Sequence, residues 1–333
     1  MANIHDIVRM TNLSLGTVSN YLNGKKIKEK NKKLIEETIK ELDYKVNSFG
    51  RNLKTNHSGI IGIMVPNLDD PFAPKVISSV EQYLREYNFA VMICDTMGDP
   101  DIEKRVIDFF IERRVEGVVI FPAENDSDRY NCFENAGIHS VCIDMKVDGF
   151  KGDFIAVDNR RMAREATEYL ILHGHRNIGI LCGPRGIYSA DERLKGYLDA
   201  LAAADITVRE EYIKRGFYTE ERIAATLTEE ILNCGEKITA IFASNYFFTI
   251  GATSAFNTLK TRIGEQVSLV GFDNDLATQV IIPKLTIVEQ PIKEMSASAG
   301  EILISRIKKE NAGPPIEKLV AGKIIEGESV ATI

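Results

Sequence analysis

The sequence predicts an α/β protein in which an N-terminal three-helix helix-turn-helix head precedes two doubly wound parallel-sheet subdomains. In residues 1–57, apolar side chains recur at helical spacing, and basic residues outnumber acidic ones by 11 to 6. After residue 59, short apolar runs alternate with amphipathic stretches, which is the pattern of repeated βαβ units. A chain of 333 residues is long enough for two or three such domains.

The head is predicted to contain three short helices. Asn3 can cap a helix from residue 4 to about residue 10, and Ser14 can cap a second helix that ends at Leu22, before Asn23 and Gly24. A third helix is expected from about residue 30 to residue 42. The side chains expected to form one small core between these helices are Ile4, Ile7, Val8, Leu15, Val18, Leu22, Leu34, Ile35, Ile39 and Leu42.

The outer face of the second helix is polar and indicates contact with DNA. Thr17, Ser19 and Asn20 offer hydroxyl and amide groups that can hydrogen-bond to base edges in a major groove. Tyr21 lies beside them, although it could instead pack against the core. Lys25 follows the helix at a position where backbone phosphates would lie. Residues 1–57 carry a net charge of +5, and the remainder of the chain carries a net charge of −12. Double-stranded DNA is therefore an expected partner.

The body is predicted to alternate strands with helices. Strands are expected over 60–65, 90–94, 117–121, 141–144, 178–182, 240–243 and 268–272. Helices are expected over 74–87, 100–113, 127–136, 160–173, 189–204, 219–232 and 246–259. Two doubly wound halves leave a cleft at the carboxyl ends of their strands, where such folds bind ligands.

Composition and motifs argue against several other classes of protein. No apolar run approaches the roughly 20 residues that span a bilayer, and the first residues lack the features of a signal peptide, so we expect a cytoplasmic protein without a membrane partner. The GxSxG, HExxH, Walker A and GxGxxG patterns of common enzymes are absent, so we expect no catalysis, cofactor or metal. If the body is considered alone, a solute-binding receptor is an alternative function. The basic head argues against it.

Several strings resemble one family of regulators. Residues 17–24, TVSNYLNG, are similar to the recognition helix of the lactose/galactose repressor (LacI/GalR) family, and residues 43–54 resemble its hinge, G-Y-x-P-N-x-x-A-R-x-L. Further similar strings, among them VPNLDDPF at 65–72, HGHRNI at 173–178 and EQP at 289–291, continue to about residue 330. The resemblance implies a periplasmic-binding-protein-like core. It also implies a homodimeric repressor of a pseudo-palindromic operator, under allosteric control by a small-molecule effector. The effector is expected to be a sugar or sugar derivative; nucleobases, other small ligands and a protein co-effector are the alternatives.

The resemblance also implies discontinuous domains. The head would cover 1–46 and a hinge helix with its linker 47–58, followed by an N-subdomain of 59–160 and 291–320 and a C-subdomain of 161–290 and 321–333. In the hinge, the residues expected on DNA are Asn47, Arg51, Leu53 and Lys54. Val46 replaces the usual proline and Gly50 the usual alanine; the glycine should cost about 1 kcal/mol in a helix.

The effector-binding residues that the resemblance implies are Phe72, Asp144, Ser189, Arg193, Phe217, Asn245, Asp273 and Gln290. Carboxylate, amide and guanidinium groups can bind vicinal hydroxyls in pairs, and aromatic rings provide an apolar wall. For any single residue, a purely structural role is the alternative. Ala73 stands where the family has a second aromatic residue, and Tyr246 stands where it often has an acid, so the pocket rim should be unusual.

Overall fold

The computed structural model describes residues 2–22, 25–44, 57–217, 221–234 and 237–333. The chain divides into two compact units, Met1–Gly59 and Ile60–Ile333. The predicted hinge residues Asn47, Arg51, Leu53 and Lys54, and the predicted helix stop at 23–24, lie outside the described residues.

The head contains helices α1 (Ile4–Thr11), α2 (Leu15–Leu22) and α3 (Glu29–Glu41). Asn3 caps α1 in a capping box with Asp6, which satisfies backbone N–H groups that have no partner within the helix. Ser14 Oγ accepts the backbone N–H of Thr17 at 3.2 Å, as expected for the residue that starts α2.

The core of the head is smaller than predicted. Ile7, Val18 and Ile35 are fully buried, one from each helix. Leu15 and Leu34 were expected beside them, but their exposed fractions are 43% and 38%. Helices of only 8 to 13 residues place few positions against a common centre, so these two leucines lie at its edge.

Within the described residues, the body contains two six-stranded sheets. The first has the strand order β11-β5-β4-β3-β1-β2 and the second β12-β10-β9-β8-β6-β7. The neighbouring strands in these sheets are parallel, except for the antiparallel pair β10 and β12. The strands are β1 (Ile60–Val65), β2 (Ala90–Asp95), β3 (Gly117–Ile120), β4 (His139–Ile143), β5 (Asp153–Val157), β6 (Ile178–Cys182), β7 (Ile213–Arg215), β8 (Ala240–Ala243), β9 (Ser268–Phe272), β10 (Thr286–Glu289), β11 (Glu317–Val320) and β12 (Lys323–Ile325).

Helices connect most of these strands, as βαβ winding requires. They are α4 (Phe72–Glu86), α5 (Pro100–Glu112), α6 (Ser127–Asn135), α7 (Asn159–Leu172), α8 (Tyr188–Ala203), α9 (Glu221–Leu232), α10 (Tyr246–Leu259), α11 (Leu276–Gln279) and α12 (Ile292–Ile307). The predicted fold class is confirmed: the body is α/β, with two doubly wound sheets dominated by parallel pairs.

Several strands and one long helix were not predicted. In each case the local sequence explains why. β5 follows β4 through a loop, whereas simple alternation expects a helix between consecutive parallel strands. α12 is buried around most of its circumference, including Ser296, Ser298, Ala299 and Gly300, so it lacks a clear amphipathic pattern. The strands β7, β10 and β12 have only three or four residues each.

The chain passes between the two sheets three times. β5 belongs to the first sheet and β6 to the second, β10 to the second and β11 to the first, and β12 to the second again. The strand ends of both sheets are therefore joined by three connections. The discontinuous subdomain limits implied by the family resemblance remain a prediction.

The helices α7 and α8 approach closely. A Cβ atom at Gly196 on α8 would lie 2.1 Å from the carbonyl oxygen of Arg160 on α7, so only glycine permits this packing. The close contact brings the middle of α8 next to the start of α7, where Arg193 meets Asn159. In the described part of the chain, no helix has the length and apolar character needed to cross a bilayer.

Candidate functional site

Polar residues gather at the carboxyl ends of strands from both sheets. Asp144 follows β4, Asn159 follows β5, Asp273 follows β9 and Gln290 follows β10. Asp144 and Asp273 adopt left-handed backbone conformations, with φ of 69° and 71°. Aspartate tolerates this conformation better than most residues, so the chain can turn sharply as it leaves each strand.

Arg193 lies at the centre of this group. Its side chain is almost fully buried on α8 and donates from Nε to Asn159 Oδ1 at 2.7 Å and from Nη1 to the backbone oxygen of Ser244 at 2.6 Å. The guanidinium carbon lies 3.8 Å from the centre of the Phe272 ring, close enough for a cation–π contact. Arg193 thereby connects the ends of β5, β8 and β9.

Asp273 and Gln290 form a second connected pair. Gln290 Nε2 donates to Asp273 Oδ1 at 2.6 Å, and the backbone N–H of Tyr246 donates to Asp273 Oδ2 at 3.1 Å. Asn245 caps α10 by accepting the N–H of Phe248 at 2.8 Å. These contacts fix the direction of the amide and carboxylate groups.

Four buried side-chain atoms in the described residues have no hydrogen-bond partner: Asp144 Oδ1, Asn159 Nδ2, Ser244 Oγ and Gln290 Oε1. All four residues directly follow, or come within two positions of, the carboxyl end of a strand. A buried polar group without a partner costs about 1–3 kcal/mol, so such atoms are rarely concentrated in one place without a purpose. Two of them accept hydrogen bonds, one donates, and the hydroxyl can do both.

Asp70 belongs to the same group, although the sequence did not single it out. It accepts the N–H of Phe72 at 2.8 Å, just before α4. Burial, followed by the nearby carboxylates of Asp273 and Asp144, raises the pKa of Asp70 to about 6, while the N–H of Phe72 and the charge of Arg193 oppose this. Burial likewise raises the pKa of Asp144. The position of Asp70 in the loop after β1 is the signal that could have identified it.

A cavity of about 980 Å³ opens beside these residues. Phe72, Asp273 and Gln290 line it, as does Tyr246, which stands at one of the departures from the family pattern. The ring of Phe72 packs edge-on against Phe121, with centroids 6.3 Å apart. Such a volume accommodates a small organic ligand.

The structure also describes Ser189, Phe217 and Asn245, the other predicted effector-binding residues. Ser189 is buried in the first turn of α8. Phe217 has 65% of its surface exposed. Asn245 has its side-chain oxygen engaged in capping α10.

Sequence reasoning missed Asn159 and Ser244 as members of this group. Both come within two positions of the carboxyl end of a strand, Asn159 after β5 and Ser244 after β8. Polar residues at such positions face the ligand-binding edge of an α/β sheet, and this position is the signal that the two residues share.

In the head, the outer side of α2 presents the predicted polar residues. Asn20 and Lys25 are exposed, and Thr17 and Ser19 are half-buried. Tyr21 instead packs beside the core, with its hydroxyl donating to Glu36 Oε1 at 3.1 Å. This hydrogen bond joins α2 to α3 and supports the packing alternative for Tyr21.

Comparison with known proteins identifies transcriptional repressors as relatives of this chain. The family model of the periplasmic binding protein-like domain matches residues 167–330. The transcriptional repressor PurR of Proteus mirabilis is 31% identical over 338 residues, covering 99% of this chain and 97% of that protein. The ribose operon repressor of Halalkalibacterium halodurans is 29% identical over 311 residues, covering 93% and 92%.

A solved structure shows the same fold over nearly the whole length. The lac repressor dimer bound to operator and the anti-inducer ONPF superimposes with a TM-score of 0.89 at 21% identity, covering 99% of each chain. This chain therefore has the same fold as that protein.

Proposed function

The chain belongs to the lactose/galactose repressor (LacI/GalR) family of transcriptional regulators, and from this we propose that it is a repressor whose binding to operator DNA is controlled by a small effector. The effector would bind at the strand ends around Arg193. The observation that carries the proposal is the concentration there of buried polar atoms without partners, in a chain that also carries a basic helix-turn-helix head.

The head would read DNA through α2. Asn20 and Thr17 present an amide and a hydroxyl toward the side away from Val18, which is buried in the core. Such groups recognise base edges, and Lys25 adds attraction to the phosphate backbone. A single head of this size covers one half-site, so we propose a homodimer on a pseudo-palindromic operator, in the cytoplasm where the DNA lies.

The effector site would use Asp144, Arg193, Asp273 and Gln290, with Phe72 as an apolar wall. The carboxylate and amide oxygens can accept hydrogen bonds from hydroxyl groups, which is the chemistry of a sugar. A ligand that binds one arrangement of the two sheets better than another shifts the population between them. A coupling of about 1–3 kcal/mol would change operator affinity by about 5- to 150-fold.

The first experiment measures DNA binding. Fluorescence anisotropy with the full chain and a library of labelled palindromic duplexes should find a preferred sequence whose affinity falls steeply with salt. Replacement of Asn20 by alanine should weaken binding to that sequence by about 5- to 150-fold and reduce discrimination. Glu37→Gln, an exposed change on α3, is the control and should leave sequence preference unchanged.

The second experiment measures the response to ligand. A thermal-shift screen of sugars, followed by operator titration with each hit, should identify a compound that changes operator affinity. Salt-independent DNA binding without sequence preference, together with tight sugar binding, would favour a solute-binding receptor instead. Control of DNA binding only by an added protein would favour a protein co-effector.

A further inference from the structure

The charges around the effector site restrict which ligands it can accept. Asp70, Asp144 and Asp273 supply three carboxylates, and the positive charge of Arg193 opposes the effect of the other two on Asp70. With all four ionised, this set has an excess of two negative charges. Charges buried together interact strongly because little water screens them.

We propose that the effector is a polyhydroxylated compound without phosphate or carboxylate groups, selected against its anionic derivatives by these three aspartates. The inference rests on the proposed function, because it describes the ligand of the same site.

The unpartnered atoms support this class independently of charge. Asp144 Oδ1 and Gln290 Oε1 accept hydrogen bonds, so they require donors on the ligand, which hydroxyl groups supply and phosphate oxygens do not. Asn159 Nδ2 is a donor and requires an acceptor, which the same hydroxyl groups also provide. Asn159, Ser244 and Gln290 are each more than nine-tenths buried, so a hydrogen bond left unmade at these groups is costly.

Arg193 is poorly placed to receive a phosphate. Two of its nitrogen atoms already donate to Asn159 and Ser244, and its guanidinium group lies over the ring of Phe272. A side-on bidentate contact with an anion, which uses Nε, would compete with the hydrogen bond to Asn159. The guanidinium also orders the groups around it.

Two of the three lysines along the described wall of the neighbouring cavity are already paired with carboxylates. Lys75 pairs with Asp275, and Lys323 Nζ lies 3.2 Å from Glu289 Oε1. Acidic residues outnumber basic ones along the described wall of the cavity, whose charged residues are Lys75, Asp273, Asp275, Glu289, Lys293, Glu294 and Lys323. A phosphate extending into the cavity would therefore meet no net positive charge.

The test compares matched ligands on the full chain by isothermal titration calorimetry at about pH 7.5, well above the ordinary pKa of an aspartate side chain. The pairs are ribose with ribose 5-phosphate, glucose with glucose 6-phosphate, and glucose with gluconate. In any pair whose neutral member binds, we expect that member to bind at least about 100-fold more tightly than its anionic partner.

Substitution at Asp70 tests whether its carboxylate causes the preference for the neutral ligand. Asp70→Asn keeps the shape of the side chain and removes one carboxylate, so the preference for the neutral member should fall by about 10-fold. Asp69→Asn makes the same chemical change one residue away at an exposed position and should leave the preference unaltered. Circular dichroism confirms that both variants fold.

Equal or tighter binding of an anionic member would overturn the inference while leaving the regulator itself intact. Failure of every neutral member to bind at about 10 mM, far above any useful affinity, would overturn it as well. Operator titration on the same preparation tests the proposed function separately, because sequence-specific DNA binding does not depend on which ligand class is right.

Discussion

Replacement of Asp70 by asparagine should stabilise the folded protein at neutral pH. The pKa of Asp70 lies at about 6 in the folded chain, against an ordinary value of 3.8. The folded state therefore binds this proton more tightly than the unfolded state does. As the pH rises from about 4 to about 6, folding loses stability because the buried carboxyl must ionise next to Asp144 and Asp273.

The magnitude follows from the difference in pKa. Each pH unit is worth about 1.4 kcal/mol, so about two units correspond to about 3 kcal/mol if solvent screening is neglected. Asp70 is half-buried, and solvent reduces this value. We expect Asp70→Asn to raise the free energy of unfolding by about 1–2 kcal/mol above about pH 6.5 and to have no effect below about pH 4.

The assay is urea unfolding followed by far-ultraviolet circular dichroism, since the chain contains no tryptophan to report by fluorescence. Wild type, Asp70→Asn and the exposed control Asp69→Asn are compared between about pH 4 and pH 8. The decisive quantity is the difference between Asp70→Asn and wild type as a function of pH. A difference that is constant with pH, or a loss of stability at about pH 7.5, would refute the electrostatic reasoning.

Three further predictions concern other parts of the molecule. Arg306→Met should lower the free energy of unfolding by about 3–5 kcal/mol in the same urea assay, because it leaves Asp153 buried without its ion-pair partner 2.7 Å away; a loss below about 1 kcal/mol would contradict this. Lys75→Met removes the ion pair to Asp275, which joins α4 to the loop after β9, and should weaken effector binding by about 2- to 5-fold in calorimetry. Gly50→Ala should tighten operator binding by about 30-fold if both hinges of a dimer form helices, as measured by anisotropy; unchanged or weaker affinity would count against the hinge assignment.

Much of the body could be predicted because its strands are short, continuous apolar runs. Runs such as 60–65 and 178–182 are buried on both faces of a parallel sheet, and their short length between turn residues distinguishes them from buried helices. The first polar residue after each run then falls at the carboxyl end of a strand. Asp144 and Asp273 could be assigned to the cleft on this basis together with the resemblance to the family.

The connections within the site could not be predicted in the same way. Arg193 meets Asn159 and the carbonyl of Ser244 across 34 and 51 residues of sequence, through a close helix contact that depends on Gly196. Asp70 interacts with Asp273, which lies far along the chain. Sequence patterns report the environment of one element at a time, so they do not reveal which polar groups meet or which are left without a partner.

The four unpartnered atoms are distributed over both sheets, and this affects how a ligand can change the arrangement of the sheets. Asp144 follows a strand of the first sheet, Ser244 and Gln290 follow strands of the second, and Asn159 lies at the first passage between them. A ligand that satisfies only one side gains hydrogen bonds without favouring any particular arrangement of the two sheets. A ligand that satisfies both sides gains them only when the sheets are correctly placed, and that difference in affinity is what shifts a conformational equilibrium. The size of the ligand and the spacing of its hydroxyl groups should therefore determine whether it acts on DNA binding, while the three aspartates determine whether it binds.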